Sequence, residues 1–275
     1  MTSAVVQPVP RNFGRMMGRR ARDWVPAIVI FVLGIGAWEG FVRGLDVQRF
    51  LLPPPSDILR TFWEQRDTLT SAGLFTFKEA LGGFVIGSGA AVVAALVLAR
   101  WRPLGDALMP YAIAANAVPI IAFAPITNNW FGILSPASKM VIAAVICFFP
   151  VMVNTLRGLT SVRPQSIELM RSYAAGEVEI FRRLRIPNSL PYVFTGLKVA
   201  TVLAMIGAIV GDYFGGSQEA LGIQIRRSAG IFAFEEAWAA IFVASVLGIA
   251  FYAAVALVER LVMSWHPSAR GSRTE

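Results

Sequence analysis

The chain has 275 residues, 56% of them hydrophobic and 15% charged, with a net charge of +8 and a mean hydropathy of +0.60. A soluble domain of this size carries about 25% charged residues. So large an apolar excess leaves too little charge to cover a soluble surface, and the composition predicts a membrane protein. The single cysteine, Cys147, excludes an internal disulfide, and with the single histidine, His266, it leaves no Cys/His zinc cluster. The three lysines, Lys78, Lys139 and Lys198, follow Phe77, Ser138 and Leu197, so no Gly-Lys pair and no phosphate-binding P-loop can be written. No catalytic residue, metal site or cofactor is expected.

A helix needs about 20 mostly apolar residues to cross a hydrocarbon core. Six blocks approach that length: Trp24–Val42, Ala80–Leu98, Leu104–Pro125, Ala137–Leu156, Leu190–Gly211 and Trp238–Met263. The first follows an arginine-rich start and reads as an uncleaved signal anchor. The fold class expected is therefore all-α: a polytopic membrane protein of about six transmembrane helices. Its membrane domain spans 24–263, between a basic tail (1–23) and a short polar tail (264–275).

After the first span comes Leu52-Pro53-Pro54-Pro55-Ser56, then an amphipathic run over 57–63. The prolines end any helix, and Ser56 or Asp57 can cap the next one. Its apolar side, Ile58, Phe62 and Trp63, suits a short helix at the outer interface. With the N-terminus inside, sixteen basic residues fall on the cytoplasmic side against seven outside, Lys139 among the latter. The positive-inside bias then places both termini in the cytoplasm. It also accounts for the basic balance, so no nucleic-acid partner is expected.

Between the fourth and fifth spans, the loop 157–189 is patterned rather than plain. Pro164 suits a first helical turn, and Ile167, Leu169, Met170 and Tyr173 recur at helical spacing. Gly176 is expected to take the left-handed conformation that stops this helix. Glu177 and Glu179 then favour the start of a second helix, and Arg182, Arg183 and Arg185 its end. Ile186-Pro187 should close it before Pro191 opens the fifth span. Such a cytoplasmic helix–turn–helix can rest on anionic lipid or dock into a groove on a soluble partner.

The run Glu168-Leu169-Met170-Arg171-Ser172-Tyr173-Ala174 with Leu184-Arg185-Ile186-Pro187 resembles the EAA loop of bacterial ABC-importer permeases. Leu169 and Met170 stand for the two alanines of that pattern, and Ala174 for its glycine, where small residues allow close packing. Further matches resemble the branch serving nitrate, sulfonate, taurine, thiamine precursors and riboflavin. They are Leu52-Pro53-Pro54-Pro55, Trp130-Phe131-Gly132, Phe149-Pro150 with Asn154-Thr155, and Leu190-Pro191-Tyr192 leading to Thr195-Gly196-Leu197. The resemblance implies a permease homodimer in the bacterial inner membrane. It also implies ATP-binding subunits gripping the coupling loop and an extracytoplasmic solute-binding protein. On that reading Glu168, Arg171, Ala174, Gly176, Leu184, Ile186 and Pro187 form the ATPase-coupling element, and ATP is hydrolysed on the separate subunit.

Irregular polar backbone at membrane depth is tolerated where it lines a cavity. Asn116 and Pro119, in the proline-interrupted third span, are therefore candidates for the translocation path, with Asn154 opposite and Lys198 more interior. Lys78, Glu79 and Asp212, nearer the helix ends, are expected to reach headgroups or one another. The small-residue rows Gly83/Gly87 and Gly207/Gly211/Gly215 suit close helix packing. Val118–Gly132 is closer to permeases for pyrimidine-type vitamin precursors and riboflavin, and an apolar, amide-lined path suits an uncharged heteroaromatic ring. Import of nitrate, sulfonate or taurine is the alternative solute reading. A secondary transporter without an ATPase is the alternative of another class, though it leaves the patterned loop unexplained.

Overall fold

The computed structural model describes residues 13–115 and 118–263, and no strand occurs among them. Among the described residues, five helices are long and apolar enough to cross a membrane. They are α1 (Phe13–Gly44), α3 (Arg66–Arg100), α6 (Pro136–Thr160), α9 (Ile186–Phe214) and α11 (Phe234–Val262). At 1.5 Å per residue, even the 25 residues of α6 extend about 37 Å, longer than the roughly 30 Å hydrocarbon core. The first helix starts at Phe13, ahead of the expected Trp24, and α3 starts at Arg66, ahead of the expected Ala80.

The third expected span, Leu104–Pro125, is not one helix. It is divided into α4 (Arg102–Ala115), a 3₁₀ turn (Ile120–Phe123) and α5 (Ala124–Phe131). Pro119 has no N–H to give and biases Val118 away from helical backbone, and Pro125 lies in the first turn of α5. Gly132, at φ 93°, ends α5, and Ser135 accepts the Ala137 N–H at 3.3 Å to start α6.

Helices α3, α6 and α9 make the most extensive mutual contacts and form the centre of the bundle. Glycine permits this. A Cβ on Gly87 would lie 2.2 Å from the Ala144 carbonyl oxygen, and one on Gly83 would lie 2.4 Å from the Ala143 Cβ. From the other side, a Cβ on Gly207 would come within 2.9 Å of the Ala143 Cα. Both small-residue rows therefore serve packing within one chain, with Ala143 held between them.

At the periphery, α2 (Pro55–Glu64) lays Ile58 and Phe62 on α11, where Phe62 meets Phe242 edge-on at 5.5 Å. Trp63 stays exposed. Neither Ser56 nor Asp57 caps α2, which starts a residue earlier at Pro55. Instead, Glu39 of α1 accepts the Ser56 N–H at 3.0 Å and its hydroxyl at 2.8 Å. Trp38 packs edge-on against Trp238, while the apolar length of α1 is almost wholly uncovered.

The bundle has two ends. The loop end carries the C-termini of α3 and α6, the start of α9 and the segment 157–189. The far end carries α2, the α5–α6 turn, the end of α9 and the short helix α10 (Leu221–Gly230).

Candidate functional site

At the loop end, α7 (Pro164–Ser172) opens with proline in its first turn and buries no residue. Its stop differs from the expectation. Ala174, not Gly176, takes the left-handed conformation, at φ 58°. The Ala175 N–H donates to the Met170 carbonyl at 3.1 Å and the Ala174 N–H to that of Arg171 at 2.9 Å. This is a Schellman cap with Ala174 at the position glycine favours. Gly176 is extended and precedes α8 (Glu177–Ile180). The importer pattern's glycine falls on Ala174, so its physical reason here is backbone conformation. Close packing is not involved, because the Ala174 side chain is exposed.

The second helix also departs from expectation. Ile186-Pro187 does not end it: α8 runs through a π-helical stretch (Phe181–Arg185) directly into α9. Pro187 cannot bond the carbonyl four residues back, and the wider π turn just before it accommodates the missing donor. The second helix of the loop is therefore continuous with the central helix α9. Ile180 is buried, and Phe181 and Ile186 pack against the core. Asn188 donates to the Gly158 carbonyl at 2.9 Å, which joins the loop's two ends.

What the loop shows outward is apolar. Leu169, Tyr173 and Val178 are 59%, 80% and 81% exposed, beside exposed Glu168. Arg171 bridges the turn to Glu177 at 2.7 Å, and that hydrogen bond holds the Glu177 carboxyl below its ordinary range. Leu184 is half-buried and Pro187 exposed. An apolar ridge with flanking charge is the chemistry of a docking face.

The path candidates are more dispersed. Asn116 lies outside the described residues. Pro119 is exposed in the break after α4. Asn154 is half-buried, its amide donating to the Pro150 carbonyl of its own helix at 2.8 Å. Lys198 is paired with Glu259 of α11 at 2.7 Å. Beside that pair opens a cleft of about 480 Å³ lined by Thr195, Lys198, Val199, Val202, Leu203 and Tyr252. A second cleft of about 540 Å³, almost wholly apolar, shares Val202 and Tyr252 with it.

One constellation was not assembled from the sequence. At the far end Glu79, Lys139 and Asp212 are 3%, 1% and 0% exposed. Lys139, counted among external loop charges, is thus buried in the bundle. Its ammonium donates to the Ile133 carbonyl, to Asn128 Oδ1 at 3.4 Å and to the Ser135 carbonyl at 3.5 Å. Thr76 donates to Asp212 Oδ2 at 2.8 Å and accepts the Leu221 N–H of α10 at 3.0 Å. Glu79 stands three residues along α3 from Thr76, on the same side, so it and Asp212 meet as the sequence allowed, but inside the protein rather than at headgroups. Lys78, one residue before Glu79, is exposed. A lysine at the third residue of the apolar block Ala137–Leu156 was the available signal.

An all-α bundle of long apolar helices with one patterned loop defines an integral membrane protein. A family model described as "Binding-protein-dependent transport system inner membrane component" matches residues 83–264, and the chain belongs to that family. It is 30% identical over 266 residues to the riboflavin transport system permease protein of Chloroflexus aurantiacus, covering 95% of this chain and 98% of that one. It is 33% identical over 252 residues to the formylaminopyrimidine transport permease protein of Halalkalibacterium halodurans, covering 90% and 98%. A putative aliphatic sulfonates transport permease protein of Bacillus subtilis is 26% identical, with 92% of each chain covered. The protein is an ABC transporter permease subunit, a multi-pass protein of the inner membrane. The family implies an ATP-binding subunit and a substrate-binding protein as partners.

Proposed function

We propose that this permease imports a small uncharged heteroaromatic solute, a vitamin or vitamin precursor such as riboflavin or a pyrimidine, delivered by an external solute-binding protein. The observation that carries the reading is similarity along nearly the whole chain to permeases named for riboflavin and formylaminopyrimidine. The Lys198–Glu259 pair supports it: the lysine that would favour an anion along a path is neutralised by a carboxylate. Nitrate, sulfonate or taurine import is the second reading, favoured by the sulfonate relative.

Two copies form the path, with Pro119, Asn154 and Lys198 as its lining candidates together with Asn116. The termini lie in the cytoplasm, and lipid covers the outward apolar faces. ATP binding closes separate ATPase subunits seated on Leu169, Tyr173 and Val178, and Glu168, Arg171, Ala174 and Gly176 shape that seat. Leu184, Ile186 and Pro187 carry the movement into α9, because the loop and the helix are one rod. The bundle then exchanges between states open to either side.

The test is uptake of labelled riboflavin, formylaminopyrimidine, taurine and nitrate by cells carrying the complete system, against cells lacking this chain. Loss of riboflavin or formylaminopyrimidine uptake alone supports the reading; loss of taurine or nitrate uptake alone replaces it with the second. Co-purification of an ATPase with wild-type protein and not with Glu168→Lys tests the seat. Recovery of the ATPase with both proteins removes Glu168 from the seat.

A further inference from the structure

The far-end cluster contains more negative charge than it has donors to satisfy. Glu79 Oε2 and Asp212 Oδ1 are both buried without a hydrogen-bond partner. One side of Asp212 is served by Thr76, which is itself held by the first amide of α10. The charged group facing the pair from the helices packed around it is Lys139 of α6. Its hydrogens go to Asn128 and two backbone carbonyls, and it makes no ion pair within 4.0 Å with either carboxylate. From α5 comes the neutral amide of Asn128, and from α10 the Leu221 and Gly222 amides. Space for another group is lacking on the Asp212 side. A Cβ on Gly222 would lie 2.5 Å from the Asp212 Cβ, and one on Gly216 would lie 2.8 Å from Oδ1.

Two acids and one lysine leave an excess negative charge among buried side chains, which is costly. Two neighbouring buried carboxyl groups relieve it by sharing a proton, since adjacent like charges resist joint ionisation. We propose that Glu79 and Asp212 together bind one proton, held in an O–H···O hydrogen bond between them. The protonated pair latches α3 to α9 and α10 at the far end of the bundle. Binding neutralises the cluster against Lys139 and supplies the donor that the orphaned oxygens lack. When the proton leaves to water, two carboxylates face each other and the latch opens. The sign follows: the folded chain binds a proton there that the unfolded chain does not, so the latch's contribution is lost as pH rises. The inference does not depend on which solute is carried.

The experiment is infrared spectroscopy of the full-length protein in nanodiscs as pH is raised from neutral, with melting temperature followed in parallel. Wild type is expected to show a carboxylic-acid C=O band at neutral pH, where exposed acids are ionised. That band titrates away at alkaline pH while the melting temperature falls by several degrees. In Glu79→Gln, whose amide replaces the shared O–H, the band is absent and the alkaline fall is reduced. In Asp212→Asn the band is also absent, because Lys139 then balances the one remaining carboxylate. Absence of the band in wild type overturns the proposal without recourse to any variant. So does its persistence in Glu79→Gln.

Discussion

The two ends of the bundle solve opposite problems with the same three helices. At the loop end, α7 buries none of its own residues, Leu169, Tyr173 and Val178 point outward, and α8 is fixed to the core through Ile180. At the far end, side chains that belong in water are sealed in: Glu79, Lys139 and Asp212 lie within van der Waals packing and reach α10 through Thr76. Apolar groups left outside await a partner; charges drawn inside must find theirs within the chain. The difference teaches where to look for each kind of effect. Far-end substitutions should register as stability, loop-end substitutions as coupling with stability intact.

The comparison breaks most readily at Lys139. Lys139→Ala removes the one cation facing two buried acids and orphans Asn128, and should cost about 3–5 kcal/mol, read as lost folded yield or a large drop in melting temperature. Next comes the central seam, where Gly87→Leu forces a side chain onto the Ala144 backbone. It should cost at least about 3 kcal/mol, whereas Gly89→Leu, with open space around it, should leave thermal unfolding unchanged. The Lys198–Glu259 pair is partly exposed, so a double-mutant cycle with Lys198→Ala and Glu259→Ala should return a coupling of about 1 kcal/mol. Glycine at 174 should stabilise the protein by about 1 kcal/mol, since Ala174 occupies left-handed backbone, and should keep transport intact. Smallest in stability is Tyr173→Ala, whose ring is 80% exposed: the melting temperature should not move, while solute-stimulated ATP hydrolysis by the assembled transporter should collapse. A far-end variant that uncouples without unfolding, or a loop-end variant that unfolds, would dissolve the distinction between the ends.

Much of this was legible in the residues. Apolar block length foretold α1, α6, α9 and α11, because lipid rewards uninterrupted helix whatever its neighbours. The patterned loop was visible from Pro164 to Pro187 through helical spacing and ordered charge. The stop was misplaced at Gly176 because glycine is the usual sign of left-handed backbone; the Schellman bonds to Met170 and Arg171 form at Ala174 instead. The third span was read as continuous because its hydropathy runs through Pro119 and Pro125, although the backbone cannot.

The amino-acid sequence by itself determined that this protein is an all-α membrane chain with a patterned loop, since both follow from local composition and periodicity. Only the tertiary structure decided which of its charges are buried. Lys78 and Glu79 are neighbours with opposite fates, because successive residues of α3 point about 100° apart and the packing of α3 in the bundle covers only the second. Glu79, Lys139 and Asp212 stand on three helices far apart in the chain. What brings them together is glycine-mediated approach of α3, α6 and α9, a property of packed surfaces that no single segment contains.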